Sequence, residues 1–149
     1  MPIDVLLVED NEGDARLMRE FLFENNKNVR LHVVGNGLEA MAFLRYQGPY
    51  QDAPRPDAIL LDLLMPLMDG LEVLAQVKGD PWLSTIPIIV LTTSKSEMHI
   101  AQSYKLMANC YLTKPQDLDE FKKLVTILNE FWLTKVKFHA VSRKQIDVN

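Results

Sequence analysis

Residues 58–70 read AILLDLLMPLMDG. Four apolar residues, Ala58 to Leu61, end abruptly in one carboxylate, Asp62. A loop containing Pro66 follows, and Asp69-Gly70 closes it. A short apolar run with little polar alternation is the pattern of a strand buried on both faces. A charged residue that stops such a run stands at the mouth of a sheet, not in a core. The run 5–8, VLLV, ends in the same way, in Glu9 and Asp10. Three acids converging from two strand ends would suit a divalent cation and phosphate chemistry.

Outward from this stretch, the apolar runs 31–34, 88–91 and 110–112 read as further strands. Helical patterns fit between the strands at 13–25, 38–46, 71–78, 97–107 and 117–132. In the first of these, Ala15, Met18 and Leu22 recur at i, i+3 and i+7, and Asn11 can cap its start. Strict βα alternation implies a parallel sheet with helices on both faces. Right-handed crossovers leave few topologies. The expected fold is α/β, a doubly wound (βα)5 flavodoxin-like unit with a five-stranded parallel sheet in the order 2-1-3-4-5. The segment 48–57, GPYQDAPRPD, is long for an αβ connection. A tolerated insertion is favoured there over a binding feature.

The 149 residues fit one domain, and 48% hydrophobic content is enough for a full core. A net charge of −4 argues against nucleic acid as the main partner, since phosphate binding needs concentrated Lys and Arg. No apolar run reaches the ~18 residues of a membrane span. The N-terminus MPIDVLLVED has no basic region, which argues against a signal peptide. Cys110 is the single cysteine and is read as a buried strand residue; a reducing cytoplasm is the expected location. His32, His99 and His139 share no metal-ligand spacing.

Ligands of open α/β sheets bind outside the carboxyl ends of the strands. Glu9 and Asp10 follow strand 1, Asp62 strand 3, Thr92 and Thr93 strand 4, and Lys114-Pro115 strand 5. Crowded carboxylates repel, and a hard cation with oxygen ligands removes that conflict. Lys114 adds a positive charge and Thr92 a hydroxyl, so developing phosphoryl charge could be stabilised electrostatically, with Asp62 a candidate nucleophile. Each residue alone reads better as an ordinary capping turn or strand end. Their coincidence at four strand ends favours a site. Other phosphate and metal devices are missing: GxxxxGK[ST], a GxGxxG after a strand, HExxH, or a second acid after Asp62, where Leu63-Leu64 stand.

With these residues in place, roughly residues 3–131 resemble the receiver domain of two-component response regulators (CheY-like). The pair Glu9-Asp10, the D-x-x-M-P-x-x-D-G segment from Asp62 to Gly70, Thr92 and Lys114-Pro115 carry the resemblance. It implies that Asp62 is the phosphoacceptor for a sensor histidine kinase. It also implies that Glu9, Asp10, Asp62 and the backbone carbonyl of Leu64 hold Mg2+, with Glu9 acting through water. Lys114 and Thr92 would engage the phosphoryl group, Thr92 and Tyr111 would form the switch, and the Lys114-Pro115 peptide would be cis. Phosphorylation adds about −1.5 to −2 charges and biases a pre-existing equilibrium. Leu64 and Thr93 depart from the residues often found beside the acceptor and the switch Thr. Leu64 is expected to alter water access and so the phosphoryl lifetime. Two rivals are a degenerate receiver acting only as an interaction module and a true phosphatase. The intact acid, Thr and Lys set argues against the first, and the absent second acid against the second.

The expected division is a receiver domain at 1–132 and an extension at 133–149 acting as a dimerisation arm. Too few residues follow the last helix for a DNA-binding output domain, so a single-domain regulator acting by contact is expected. In that helix Leu118, Phe121, Val125, Leu128 and Trp132 form one apolar stripe, and Leu124, Ile127 and Phe131 a second. Together they span roughly 180°, more than the ~100° that a surface helix needs. The tail alternates Val136, Phe138 and Ala140 with Lys135, Lys137 and His139, a strand-like period. A homodimer through Leu124, Ile127, Phe131, Trp132, Val136 and Phe138 is the expectation, weighed against a frayed or folded-back tail. GPYQDAPRPD, ANCYLTKP and FWLTKVKF are also similar to segments of the small receivers that partner cyanobacterial phytochromes, which implies a light-sensing histidine kinase as partner.

Overall fold

The apolar runs pair into one sheet of five parallel strands in the order β2-β1-β3-β4-β5. These are β1 Ile3–Val8, β2 Val29–Val34, β3 Ala58–Leu61, β4 Ile88–Thr92 and β5 Cys110–Thr113. Between and after them run α1 Glu12–Asn25, α2 Gly37–Leu44, α3 Gly70–Lys78, α4 Glu97–Lys105 and α5 Leu118–Leu128. The computed structural model describes residues 2–130. The expected doubly wound (βα)5 topology is therefore the one adopted.

Strand side chains alternate between two cores, as a period of two requires. Leu6, Val8, Ile59, Leu61, Ile88 and Val90 face α2 and α3, where Met41, Phe43, Leu44, Leu74 and Val77 cover them. Val5, Leu7, Leu60, Ile89 and Leu91 face α1 and α5, where Met18, Phe21, Leu22, Phe121, Val125 and Leu128 cover them. With the central strands buried on both sides, polar side chains can reach solvent only at the strand ends. Each helix start is fixed by a side-chain cap. Asn11, Asn36, Asp69, Ser96 and Asp117 accept the backbone N–H groups of Asp14, Glu39, Glu72, His99 and Glu120. Such caps contribute about 1 kcal/mol each.

Several expectations are corrected. β1 and β2 begin earlier than the apolar runs because the buried Asp4 is fully partnered. Its carboxylate accepts from Arg30 Nε at 2.8 Å and Arg30 Nη2 at 2.9 Å, and meets His32 Nε2 at 3.0 Å. α2 and α4 end earlier than their apolar patterns, before Tyr46 (φ 58°) and Met107 (φ 72°), whose left-handed backbone stops a helix. The Lys114-Pro115 peptide is trans, not cis. Trans is intrinsically favoured for X-Pro by about 0.5–1 kcal/mol, and in this geometry the Lys114 N–H donates to the Thr92 carbonyl at 2.7 Å. Leu118 is 55% exposed and does not join the covering stripe of α5. That stripe starts one turn later, where the Phe121 ring meets Phe21 at 6.2 Å. Of the residues expected in a dimer interface, Leu124 is half-buried against the α1/α5 core and Ile127 is 62% exposed. Phe131, Trp132, Val136 and Phe138 lie outside the described residues.

The segment 48–57 opens with a 3-10 turn, Gly48–Tyr50, and is tied down at both ends. Tyr50 and Ala53 pack on the α2/α3 core. Arg55 reaches the Trp82 carbonyl at 3.0 Å and Thr85 Oγ1 at 2.9 Å, with its guanidinium 5.3 Å from the Trp82 ring centre. Asp57 accepts the Asp4 N–H at 2.9 Å.

Burial alone would raise the Asp4 carboxyl, but the bonds from Arg30 and His32 outweigh it and hold the group below its ordinary 3.8. A carboxyl lowered on folding stabilises above its unfolded value, and that stability disappears as pH falls through the folded value. The advantage of wild type over Asp4→Asn, read as the urea midpoint, is therefore expected to shrink as pH drops below 3.8. An advantage that persists undiminished in strong acid would contradict this.

Candidate functional site

The register of the sheet assembles the site. Val8 pairs with Leu61, so Glu9 and Asp62, the next residue on each strand, leave the sheet side by side. Their backbones stay in the ladder for one more bond: Glu9 N–H donates to Val34 O at 3.0 Å, and Asp62 N–H to Val8 O at 3.1 Å. Thr92 pairs with Thr113, and the following Lys114 turns over the same edge.

Glu9, Asp62 and Lys114 are buried, while Asp10 is exposed. Ligand oxygens of Glu9, Asp10 and Asp62 lie within 4.8 Å of one another. The Lys114 ammonium lies 2.7 Å from Glu9 Oε1 and 3.5 Å from Asp62 Oδ2. It also lies 2.8 Å from Asp14 Oδ2 on the first turn of α1, a residue absent from the sequence-derived site. Asp14 stands three residues after the cap Asn11, where a carboxylate is ordinary for a helix start, so its sequence position carried no separate signal.

Two backbone donors orient the carboxylates from behind. Asn11 N–H donates to Glu9 Oε2 at 3.2 Å, and Leu64 N–H donates to Asp62 Oδ1 at 3.2 Å. The β3–α3 loop that carries Leu64 is held tight by Gly70. A side chain there would overlap the Asp62 carbonyl and approach Leu63 Cα to 2.6 Å. Gly70 N–H donates to Leu63 O at 3.0 Å, and Asp69 caps α3. The Asp62 to Gly70 spacing read in the sequence is thus one closed loop that fixes the acid at its start.

Burial pushes the Glu9 carboxyl up to about 7 against the opposing pull of Lys114. For Lys114, burial works to lower the ammonium, and the bonds from Asp14 and Glu9 outweigh it and raise the group. Three carboxylates, Glu9, Asp14 and Asp62, share this ammonium, and Asp10 clusters with two of them. A hard divalent cation on the three clustered acids fits the donor set, because all three offer oxygen and their mutual repulsion is otherwise only partly neutralised.

Thr92 is fully buried at the end of β4. Its Oγ1 accepts the Ser94 N–H at 3.4 Å, a weak bond. Ser94 ties the loop together. Its carbonyl accepts the Tyr111 hydroxyl at 2.8 Å, and its Oγ lies 2.6 Å from His99 Nδ1 on α4. Tyr111 is half-buried against the α2/α3 core. The sequence flagged Thr92 and Tyr111, but not Ser94, which joins them mainly through its backbone. Thr93 is exposed and lines a cavity with Lys114 and Pro115. Cys110 is half-buried on β5, and its thiol is raised by burial.

Known proteins match this chain in family and in fold. Residues 5–126 match the response regulator receiver domain family. The chain is 47% identical over 139 residues to the response regulator Rcp1 of Synechocystis, covering 93% of this chain and 95% of that protein. The crystal structure of Mn2+-bound Rcp1 superposes with a TM-score of 0.88, covering 92% of this chain and 99% of that one. A phosphorylated cyanobacterial phytochrome response regulator, RcpA, superposes with a TM-score of 0.90 at 45% identity, covering 93% and 99%.

Gly70→Ala is expected to cost about 1–3 kcal/mol through overpacking and to weaken Mn2+ binding, because the strain falls on the Asp62 backbone. Asp69→Ala, which loses only a cap, is expected to cost about 1 kcal/mol and to leave Mn2+ affinity near wild type. Calorimetric titration of both variants checks this; a Gly70→Ala affinity equal to wild type would count against the loop as the element that fixes Asp62.

Proposed function

We propose that this chain, which belongs to the response regulator receiver family, takes a phosphoryl group onto Asp62 from a sensor histidine kinase and signals by a conformational switch. The observation that carries the reading is the meeting of three acids and one ammonium at the carboxyl edge of the sheet. In the step itself a bond forms between an Asp62 Oδ and phosphorus, and the bond from phosphorus to the donor's imidazole nitrogen breaks. The carboxylate becomes an acyl phosphate. Glu9, Asp10, Asp62 and the Leu64 carbonyl would hold Mg2+. The ion would supply positive charge against the gathered acids and phosphoryl oxygens. Lys114 pairs with a phosphoryl oxygen, and the Thr92 hydroxyl donates to another. Leu64, exposed at the rim beside Asp62, alters water access and so the phosphoryl lifetime.

The switch runs through Thr92, Ser94 and Tyr111. A Thr92 hydroxyl drawn to the phosphoryl group leaves Ser94, and the Ser94 carbonyl is the acceptor for Tyr111. The α4–β5–α5 surface reports the change by a shift of populations. The resemblance to Rcp1 and to RcpA supports a phytochrome-type light sensor as the kinase.

Labelling by acetyl phosphate in Mg2+ is expected for the wild type and lost in Asp62→Asn. A wild type that takes no label under these conditions would favour a binding-only module.

A homodimer through α5 and the residues after it is part of the same reading, supported by the exposed Ile127 on the outer face of the helix. Light scattering is expected to give a dimer mass for the full chain and a lower mass for a chain cut after Thr134. A monomeric full chain would refute the dimer, and an unchanged mass after the cut would remove the tail from it.

A further inference from the structure

We infer that Asp14 is a positioning residue for Lys114: it holds the ammonium in the resting state and is the partner released when Lys114 turns to a phosphoryl group. This rests on the reading of Asp62 as phosphoacceptor. A lysine ammonium has three N–H donors. Around Lys114 stand three carboxylate oxygens, of Glu9 at 2.7 Å, Asp14 at 2.8 Å and Asp62 at 3.5 Å. The ammonium is drawn toward Glu9 and Asp14, and the longest of its three contacts is the one to the acceptor. Its side chain is 5% exposed, so water has little room to supply a fourth partner. Glu9 and Asp14 take two of its donors, and the 3.5 Å contact to Asp62 is longer than a hydrogen bond, so an ammonium that closes on a phosphoryl oxygen at Asp62 must lengthen one of its two short bonds.

Burial decides which carboxylate gives way. The Glu9 side chain is 3% exposed, and stripping it of Lys114 would leave a buried charge without its partner. The Asp14 side chain is 31% exposed, so water can replace the ammonium when it leaves. Asp14 also has no need to move. Its backbone N–H is held by Asn11 Oδ1 at 2.9 Å at the first turn of α1, and only Lys114 has to swing. An interaction made in one state and lost in the other biases the equilibrium toward the first. Asp14 thus favours the unphosphorylated site, and its neutral isostere favours the occupied one.

The test is titration of the full chain with beryllofluoride, a phosphoryl mimic, at saturating Mg2+, with binding followed by 19F NMR. Asp14→Asn is expected to bind beryllofluoride about three- to tenfold more tightly than wild type, the scale of one partly exposed charge-assisted bond. Asp14→Glu, which restores the charge, is expected to return the affinity toward wild type. A purely structural role for Asp14 in anchoring α1 would instead weaken binding in Asp14→Asn, and that result, or an unchanged affinity, would overturn the inference. A wild type that binds no beryllofluoride would overturn the phosphoacceptor reading itself, which separates the two failures.

Discussion

One buried ammonium lets this site exist. Glu9 and Asp62 are almost wholly removed from water, and Asp10 and Asp14 crowd them from the rim. Without a positive partner such a group would shed charge by taking up protons. Lys114 meets Glu9 and Asp14 at hydrogen-bond distance and lies 3.5 Å from Asp62. Even so, burial outweighs the pull of Lys114, and Glu9 stays raised to about 7. The site is thus held one divalent cation short of electrostatic comfort. Clustered oxygen donors of this kind suit a hard divalent cation.

The fold supplies the positions at little local cost. Parallel pairing puts the carboxyl ends of β1, β3, β4 and β5 on one edge, and the Val8–Leu61 and Thr92–Thr113 pairs set which residues emerge together. The two cores on either side of the sheet make those strands rigid. The loop from Asp62 to Gly70 is closed by a glycine with no room for a side chain and by the Gly70 N–H bond to the Leu63 carbonyl. Asp62 is therefore fixed by its neighbours on both sides, and Lys114 is the member of the cluster with length to move. At the other outlet, Ser94 links the buried Thr92 to Tyr111 and to His99 of α4. A small displacement at Thr92 has a hydrogen-bonded route to the helix surface.

Much of this was legible in the chain. Continuous apolar runs such as AILL reported strands buried on both faces, and an acid stopping each run reported the sheet edge. Five alternations then left few topologies. The acids, Thr92 and Lys114 were legible because they stand at strand ends, where position alone fixes where a residue goes. Three kinds of feature were not. Asp4 lies inside β1 and is tolerated only because Arg30 and His32, distant in sequence, meet it there. Asp14 and Ser94 look like ordinary helix-start and loop residues, and their roles come from contacts with Lys114 and Tyr111 across the fold. The ends of α2 and α4 depend on left-handed backbone at Tyr46 and Met107, residue types that give no warning of it.

The central claim is that Asp62, and not one of the acids beside it, is where covalent chemistry occurs. The most direct measurement is reductive trapping: the chain is phosphorylated with acetyl phosphate in Mg2+, treated with borohydride, and sequenced by mass spectrometry. Reduction of an aspartyl phosphate leaves homoserine, and homoserine at position 62 alone is the expected product. A reduced residue at Glu9, Asp10 or Asp14 in place of position 62, or no reduced residue in a phosphorylated sample, would contradict the claim.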